Sequence, residues 1–245
     1  MLIIENLKKS FDGFIAINGV SLSIQKGTIC SIIGPNGAGK TTLFNLITGH
    51  IHVDQGKLTF KGVDITHMSP NRICRLGIGR SFQRANIFPR LTVFENIQAA
   101  ILVFRGMGFN FYKSVKSLFL EETEAILKMV GLFDAKDEMS ISLSYGAQKQ
   151  LEIGIALASE PELLLLDEPT AGMSLQETKQ TIELIARIVL EKGLTLLFTE
   201  HDMDVVFSIS QRITVLHQGK VIAEGSPDQV RNDPYVQRVY IGDVR

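Results

Sequence analysis

The sequence predicts an α/β fold with a parallel central sheet, an antiparallel β flank and an inserted helical lobe. Three observations carry its two sheets, and helical spacing from about Pro89 to Met139 carries its lobe. An apolar, β-branched run (Ile29, Ile32, Ile33) leads into a glycine-rich segment, and a helix-like run (Leu43, Phe44, Leu46, Ile47) follows it. Four consecutive leucines, Leu163 to Leu166, read as a strand buried on both faces, as parallel sheets require. Near the start, Val20, Leu22 and Ile24 alternate with Ser21, Ser23 and Gln25, the period of a half-buried strand. A chain of 245 residues with 45% hydrophobic content suits one or two domains and is ample for a core.

The charge balance narrows the partners. A net charge of −1 gives no electrostatic case for nucleic acid as the main partner. Cys30 and Cys74 are far apart and form no metal-ligand spacing, so no disulfide scaffold is expected and a reducing compartment fits. Cys30, inside a predicted strand, reads as a small core residue. The start Met1-Leu2-Ile3-Ile4-Glu5 lacks a basic region followed by a long apolar stretch, so no signal peptide is expected. No apolar run approaches the roughly 20 residues that span a bilayer. Work at a membrane would need a partner.

Residues 1–27 read as antiparallel β structure. Phe11 and Phe14 sit near their first turn; an aromatic there reads as ordinary core or, given the glycine-rich phosphate loop at 34–42, as a ring stacked on adenine. The segment Gly34-Pro35-Asn36-Gly37-Ala38-Gly39-Lys40-Thr41-Thr42 satisfies G-x-x-x-x-G-K-[ST] between a strand and a helix. Its glycines let successive N–H groups point into one concavity at a helix N-terminus, where phosphate oxygens are favoured. Lys40 can reach terminal phosphates, and the Thr41 hydroxyl can complete a magnesium shell. This is read as a nucleotide site.

Leu58 and Phe60 alternate with Lys57, Thr59 and Lys61, which predicts another strand. A short strand follows over 77–83 and ends at Gln83, which alone would read as a surface glutamine. From about Pro89 to Met139 helical spacing takes over, at Val93 to Leu102 and at Glu121 to Val130, with Gly131 as a C-terminal stop. The aromatic, glycine-rich stretch between these helices (104–112) reads as packing or as a docking surface for a membrane partner. After the leucines come Asp167 and Glu168, costly to bury without a cation or hydrogen-bond donors. Given a phosphate loop elsewhere, Asp167 is assigned to magnesium and Glu168 to the attacking water as general base. The strand Leu194 to Thr199 runs into Glu200-His201-Asp202, making His201 a candidate γ-phosphate contact at the ligand edge of the sheet. His50, His52, His67 and His217 read as surface or loop residues. Two last strands (Ile213 to Leu216, Val221 to Ala223) and a polar tail close the chain.

Together these motifs resemble the ATP-binding subunit of ABC (ATP-binding cassette) transporters, over essentially the whole length and in the family's order. The resemblance implies one nucleotide-binding domain over 1–245. Within it, a P-loop ATPase core spans 1–87 and 151–245, and a helical subdomain spans about 88–150. It makes Gln83 the Q-loop residue that binds magnesium and water and senses the membrane subunits, His201 the switch histidine, and Phe11, rather than Phe14, the adenine-stacking aromatic. Leu143-Ser144-Tyr145-Gly146-Ala147-Gln148 is similar to the signature L-S-G-G-Q. In the family, that serine and glycine contact the γ-phosphate held by a second subunit; Ser144 and Gly146 keep those groups. Tyr145 and Ala147 depart from the pattern, as does Ser174, which stands where the family often has aspartate. Ser144 also reads as an ordinary helix N-cap.

The L-S-Y-G form, 168–173, 91–96 and the closing segment 233–243 are similar to the branched-chain amino-acid importers; urea importers share several of these features. The resemblance therefore implies an ATPase that uses ATP and Mg2+. It would sit peripherally at the cytoplasmic face of the inner membrane and power uptake through separate permease subunits. Its partners would be a second ATP-binding subunit and, indirectly, an extracytoplasmic solute-binding protein, with no nucleic acid. Alternatives are urea or another small solute, a lipid-exporting system, or a soluble non-transport ABC ATPase.

Overall fold

The computed structural model describes residues 1–81, 87–107 and 118–241. In chain order the strands are β1 (Leu2–Phe11), β2 (Phe14–Ile24), β3 (Ile29–Ile33), β4 (Gln55–Phe60), β5 (Val63–Asp64), β6 (Ile78–Arg80), β7 (Leu163–Asp167), β8 (Thr195–Thr199), β9 (Arg212–His217) and β10 (Lys220–Gly225). Among the helices are α1 (Lys40–Ile47), α2 (Pro70–Arg75), α3 (Val93–Phe104), α4 (Leu120–Met129), α5 (Tyr145–Leu157), α6 (Leu175–Lys192), α7 (Met203–Ile209) and α8 (Pro227–Arg231).

The strands form two sheets. A four-stranded antiparallel sheet runs β2-β1-β4-β5, and a six-stranded sheet runs β10-β9-β3-β8-β7-β6. In the larger sheet β3 is parallel to β8 and β9, and β7 is parallel to β6 and β8; only β10 is antiparallel. This is the predicted parallel centre with an antiparallel flank.

The leucine run explains why the centre is buried on both faces. Leu164 and Leu166 pack into one apolar cluster with α3, α5 and α6, while Leu163 and Leu165 pack into another with α1 and the antiparallel sheet. The alternation of a strand thus feeds two cores, each leucine contributing about 1.5–3 kcal/mol by leaving water. On β3, Ile33 and Ile32 divide in the same way. Cys30 is buried there, as its position suggested.

The helices follow their periodicity and caps. Thr92 and Glu95 form a reciprocal capping box at the start of α3. Gly131, with φ +76°, follows the end of α4 in the left-handed region where glycine is at ease. Helix α5 is continuous from Tyr145 to Leu157, so the subdomain boundary expected at 150 falls inside it. Through α5, the lobe helices and the sheet share one apolar cluster. The aromatic segment lies largely outside the described residues.

The chain end differs from the polar tail expected. Residues 226–236 form short helical turns, α8 and one at Pro234–Val236, because Ser226-Pro227 and Asp233-Pro234 each place a capping oxygen before a first-turn proline. Val230 and Val236 are buried beneath them.

Candidate functional site

Register brings the predicted chemistry to one edge. Ile32 is paired with Thr199 and Asp167 with Thr199, so β3, β7 and β8 end side by side. Ligands in parallel sheets gather at such carboxyl ends.

At this edge β3 passes into the glycine loop and α1. A Cβ at Gly34 would sit 2.2 Å from the carbonyl oxygen of Leu216, so the close approach of β9 admits only glycine. Gly39 has φ +106° and precedes α1, whose first turn carries no side-chain cap. A cavity of about 280 Å³ opens here, lined by Phe14, Ala16, residues 36–42 and Glu168. Lys40 is buried and its Nζ donates to the carbonyl oxygens of Gly34 (2.7 Å) and Pro35 (3.3 Å). Burial pushes its ammonium below the usual lysine range, while Glu168 and then Asp167 pull it back up.

The acid end is more constrained than sequence suggested. Asp167 is 1% exposed; its Oδ1 accepts from the Thr199 hydroxyl at 2.7 Å and its Oδ2 from Arg80 Nη2 at 3.2 Å. Arg80 also donates to Asn45 Oδ1 at 2.6 Å, tying the end of β6 to α1. Glu168 stands in the left-handed region, φ +52°, with its N–H donated to the Thr199 carbonyl and hydroxyl oxygens, each at 3.1 Å. Its Oε1 lies 2.7 Å from His201 Nε2. A carboxylate and an imidazole so placed can share and pass a proton.

The predicted residues are only partly assembled. Residues 36–42 and Glu168 share the cavity, and Asp167 and His201 lie beside it through Thr199 and Glu168. Phe14, not Phe11, lines the cavity. The two residues pair across the β1–β2 turn, and the Phe11 ring lies under Lys9 Nζ at 5.3 Å instead. Ser144 and Gly146 do not line it. Ser144 Oγ caps α5 by accepting the Ala147 N–H at 3.3 Å, and the Tyr145 ring packs by Gly172. Ser174, in place of the family's aspartate, caps α6 reciprocally with Glu177. Gln83 lies outside the described residues.

Sequence reasoning missed Arg80, Thr199 and Glu200. Only the cost of a buried charge could have flagged Arg80 and Glu200, and their burial was not visible before the fold. Among the described residues no group of three His, Cys, Asp or Glu could enclose a metal. The Thr41 hydroxyl and the Asp167 carboxylate are hard oxygen donors of the kind that suits Mg2+.

Residues 17–171 match the ABC transporter family, and residues 220–244 match the branched-chain amino acid ATP-binding cassette transporter family. This chain belongs to the ABC transporter family. The cassette is 37% identical over 250 residues to the high-affinity branched-chain amino acid transport ATP-binding protein LivG of Salmonella typhimurium, covering 99% of this chain and 98% of that one. It is 34% identical to the lipopolysaccharide export system ATP-binding protein LptB of Haemophilus influenzae, over 99% and 98% of the two chains. Among solved structures, the ADP conformation of an ATP-binding cassette of an ABC transporter superposes with TM-score 0.86 at 34% identity, covering 99% of this chain and 98% of that one. A dimeric post-hydrolysis cassette bound to ADP and Pi gives TM-score 0.79 at 26% identity, covering 93% and 99%. The cassette is an ATP-hydrolysing subunit of an ABC transporter. Among its described residues no helix is long and apolar enough to cross a membrane.

Proposed function

We propose that this cassette drives the import of branched-chain amino acids through separate membrane permeases, working as a pair of ATP-binding subunits at the cytoplasmic face of the membrane. The match of residues 220–244 to the branched-chain amino acid transporter family supports this reading most, and the likeness to LivG along the whole chain agrees with it. An extracytoplasmic solute-binding protein would deliver the cargo.

Within the site, Lys40 and the loop N–H groups bind the ATP phosphates. Thr41, Asp167 and Gln83 would hold Mg2+, which would supply neutralising charge at the phosphates. Glu168 accepts a proton from the attacking water. His201 Nε2 lies 2.7 Å from that carboxylate before ATP binds and would turn its N–H to the γ-phosphate once ATP is in place. Ser144 and Gly146 would meet the γ-phosphate bound by the partner subunit, at the N-terminus of α5. Phe14, at the cavity wall, is the better candidate for stacking on the base. The helices between 88 and 150 would carry the motion to the permeases.

Uptake tests the cargo. In cells lacking this gene, leucine uptake should be lost, then restored by the wild-type chain and not by Lys40→Ala. Urea uptake responding instead would keep the mechanism and change the substrate. A second reading, lipid export, has the likeness to LptB in its favour; export defects with normal leucine uptake would select it.

A further inference from the structure

We propose that Glu200 is a positioning residue that clamps the segment after Glu168 to His201, holding the Glu168–His201 pair in its working geometry. The proposal rests on the roles given above to Glu168 and His201 and adds a residue those roles do not use.

Glu200 follows β8 and is 3% exposed. A carboxylate buried to that extent has to find donors. Its donors come from both sides of the reacting pair. Oε1 accepts the Thr170 N–H at 2.8 Å and the Thr170 hydroxyl at 2.7 Å; Oε2 accepts the His201 N–H at 3.2 Å. Thr170 lies two residues beyond Glu168, and Glu168 Oε1 is 2.7 Å from His201 Nε2. The bonds therefore close a ring from Glu168 through Thr170, Glu200 and His201 back to Glu168.

The ring has something to restrain. Glu168 sits at φ +52°, a backbone region that non-glycine residues keep only when the surroundings over-determine it. Thr199 holds its N–H from one side, and the Thr170–Glu200 bonds anchor the chain just past it. Burial pushes the Glu200 carboxyl above the usual range, and its hydrogen bonds from Thr170 and His201 oppose that shift. The chemistry specifies glutamate. Glutamine keeps the shape, but with its oxygen on Thr170 it turns an amide donor toward the His201 N–H. Aspartate falls one methylene short of joining both segments.

The test is side-chain 15N-histidine NMR on the full chain, with ATPase kinetics alongside. The His201 Nε2 resonance, assigned by its loss in His201→Ala, reports the bond to Glu168 without any turnover. Glu200→Gln is expected to move that resonance toward its position in Glu168→Gln. It should also lower kcat about tenfold, within the hundredfold that a misplacement of about 1 Å can cost, with KM for ATP nearly unchanged. In a His201→Ala background the same change should add little. Thr170→Val, which removes one hydroxyl and leaves the N–H bond, should show a smaller shift and covers the case in which Glu200→Gln does not fold. An unmoved His201 resonance in the folded variants, or an undiminished kcat effect in the His201→Ala background, would overturn the proposal. Normal turnover in Glu168→Gln is a separate result and overturns the base assignment instead.

Discussion

Two helix N-termini in this cassette are proposed to meet phosphate, those of α1 and α5, and they are finished differently. Helix α1 starts after Gly39 with no side-chain cap, and its first turn lines a cavity that also holds Glu168. Helix α5 is capped by Ser144, whose hydroxyl accepts the Ala147 N–H and which does not line that cavity. The first terminus has no side-chain acceptor of its own; the second satisfies one of its N–H groups with the Ser144 hydroxyl. A cap bond of 3.3 Å is long enough to be exchanged for a stronger acceptor such as a phosphate. The difference fits the proposed pairing, in which α1 binds the nucleotide of its own chain and α5 completes the site of a partner subunit.

That contrast can be broken by substitution. Lys40→Ala should have the largest effect, weakening nucleotide affinity and lowering turnover by about 10²–10³, the range for losing a preorganised charge partner; titration with ATP and a steady-state assay check it. Gly34→Ala should cost about 1–3 kcal/mol of stability through overpacking against Leu216, measured by denaturant unfolding. Phe14→Ala should weaken ATP binding about tenfold, in keeping with the ~1–3 kcal/mol of a stacked base, while Phe11→Ala leaves it nearly unchanged. Ser144→Ala should cost about 1 kcal/mol as a lost cap and leave ATP affinity of the dilute chain intact. A large loss of single-chain affinity in Ser144→Ala would erase the distinction between the two termini.

The legible parts of the site were those written in neighbouring residues. The phosphate loop is a local pattern, because glycine tolerates the tight approach to Leu216 and lysine and threonine follow at fixed offsets. The leucine run announced a strand buried on both faces for the same reason. The choice between Phe11 and Phe14 was not local. They pair across the turn, and which of them lines the cavity depends on how the hairpin packs against the phosphate loop, which no local pattern shows. Arg80, Thr199 and Glu200 were illegible because their partners Asp167 and Thr170 arrive on strands and loops distant in sequence, and burial makes those charges matter. The turns at the chain end are hidden in a polar stretch, because Ser-Pro and Asp-Pro pairs look like loop residues until their side chains are seen capping a helical turn.

The central claim is that Glu168 activates water in a site that two cassettes complete together. The most direct measurement is the oligomeric state and ATPase rate of Glu168→Gln with ATP and Mg2+, by size-exclusion chromatography with light scattering and by phosphate release. The account predicts hydrolysis slowed by about 10²–10⁴, as for a lost general base, and a stable ATP-bound dimer. A monomeric variant that hydrolyses ATP at the wild-type rate would contradict it.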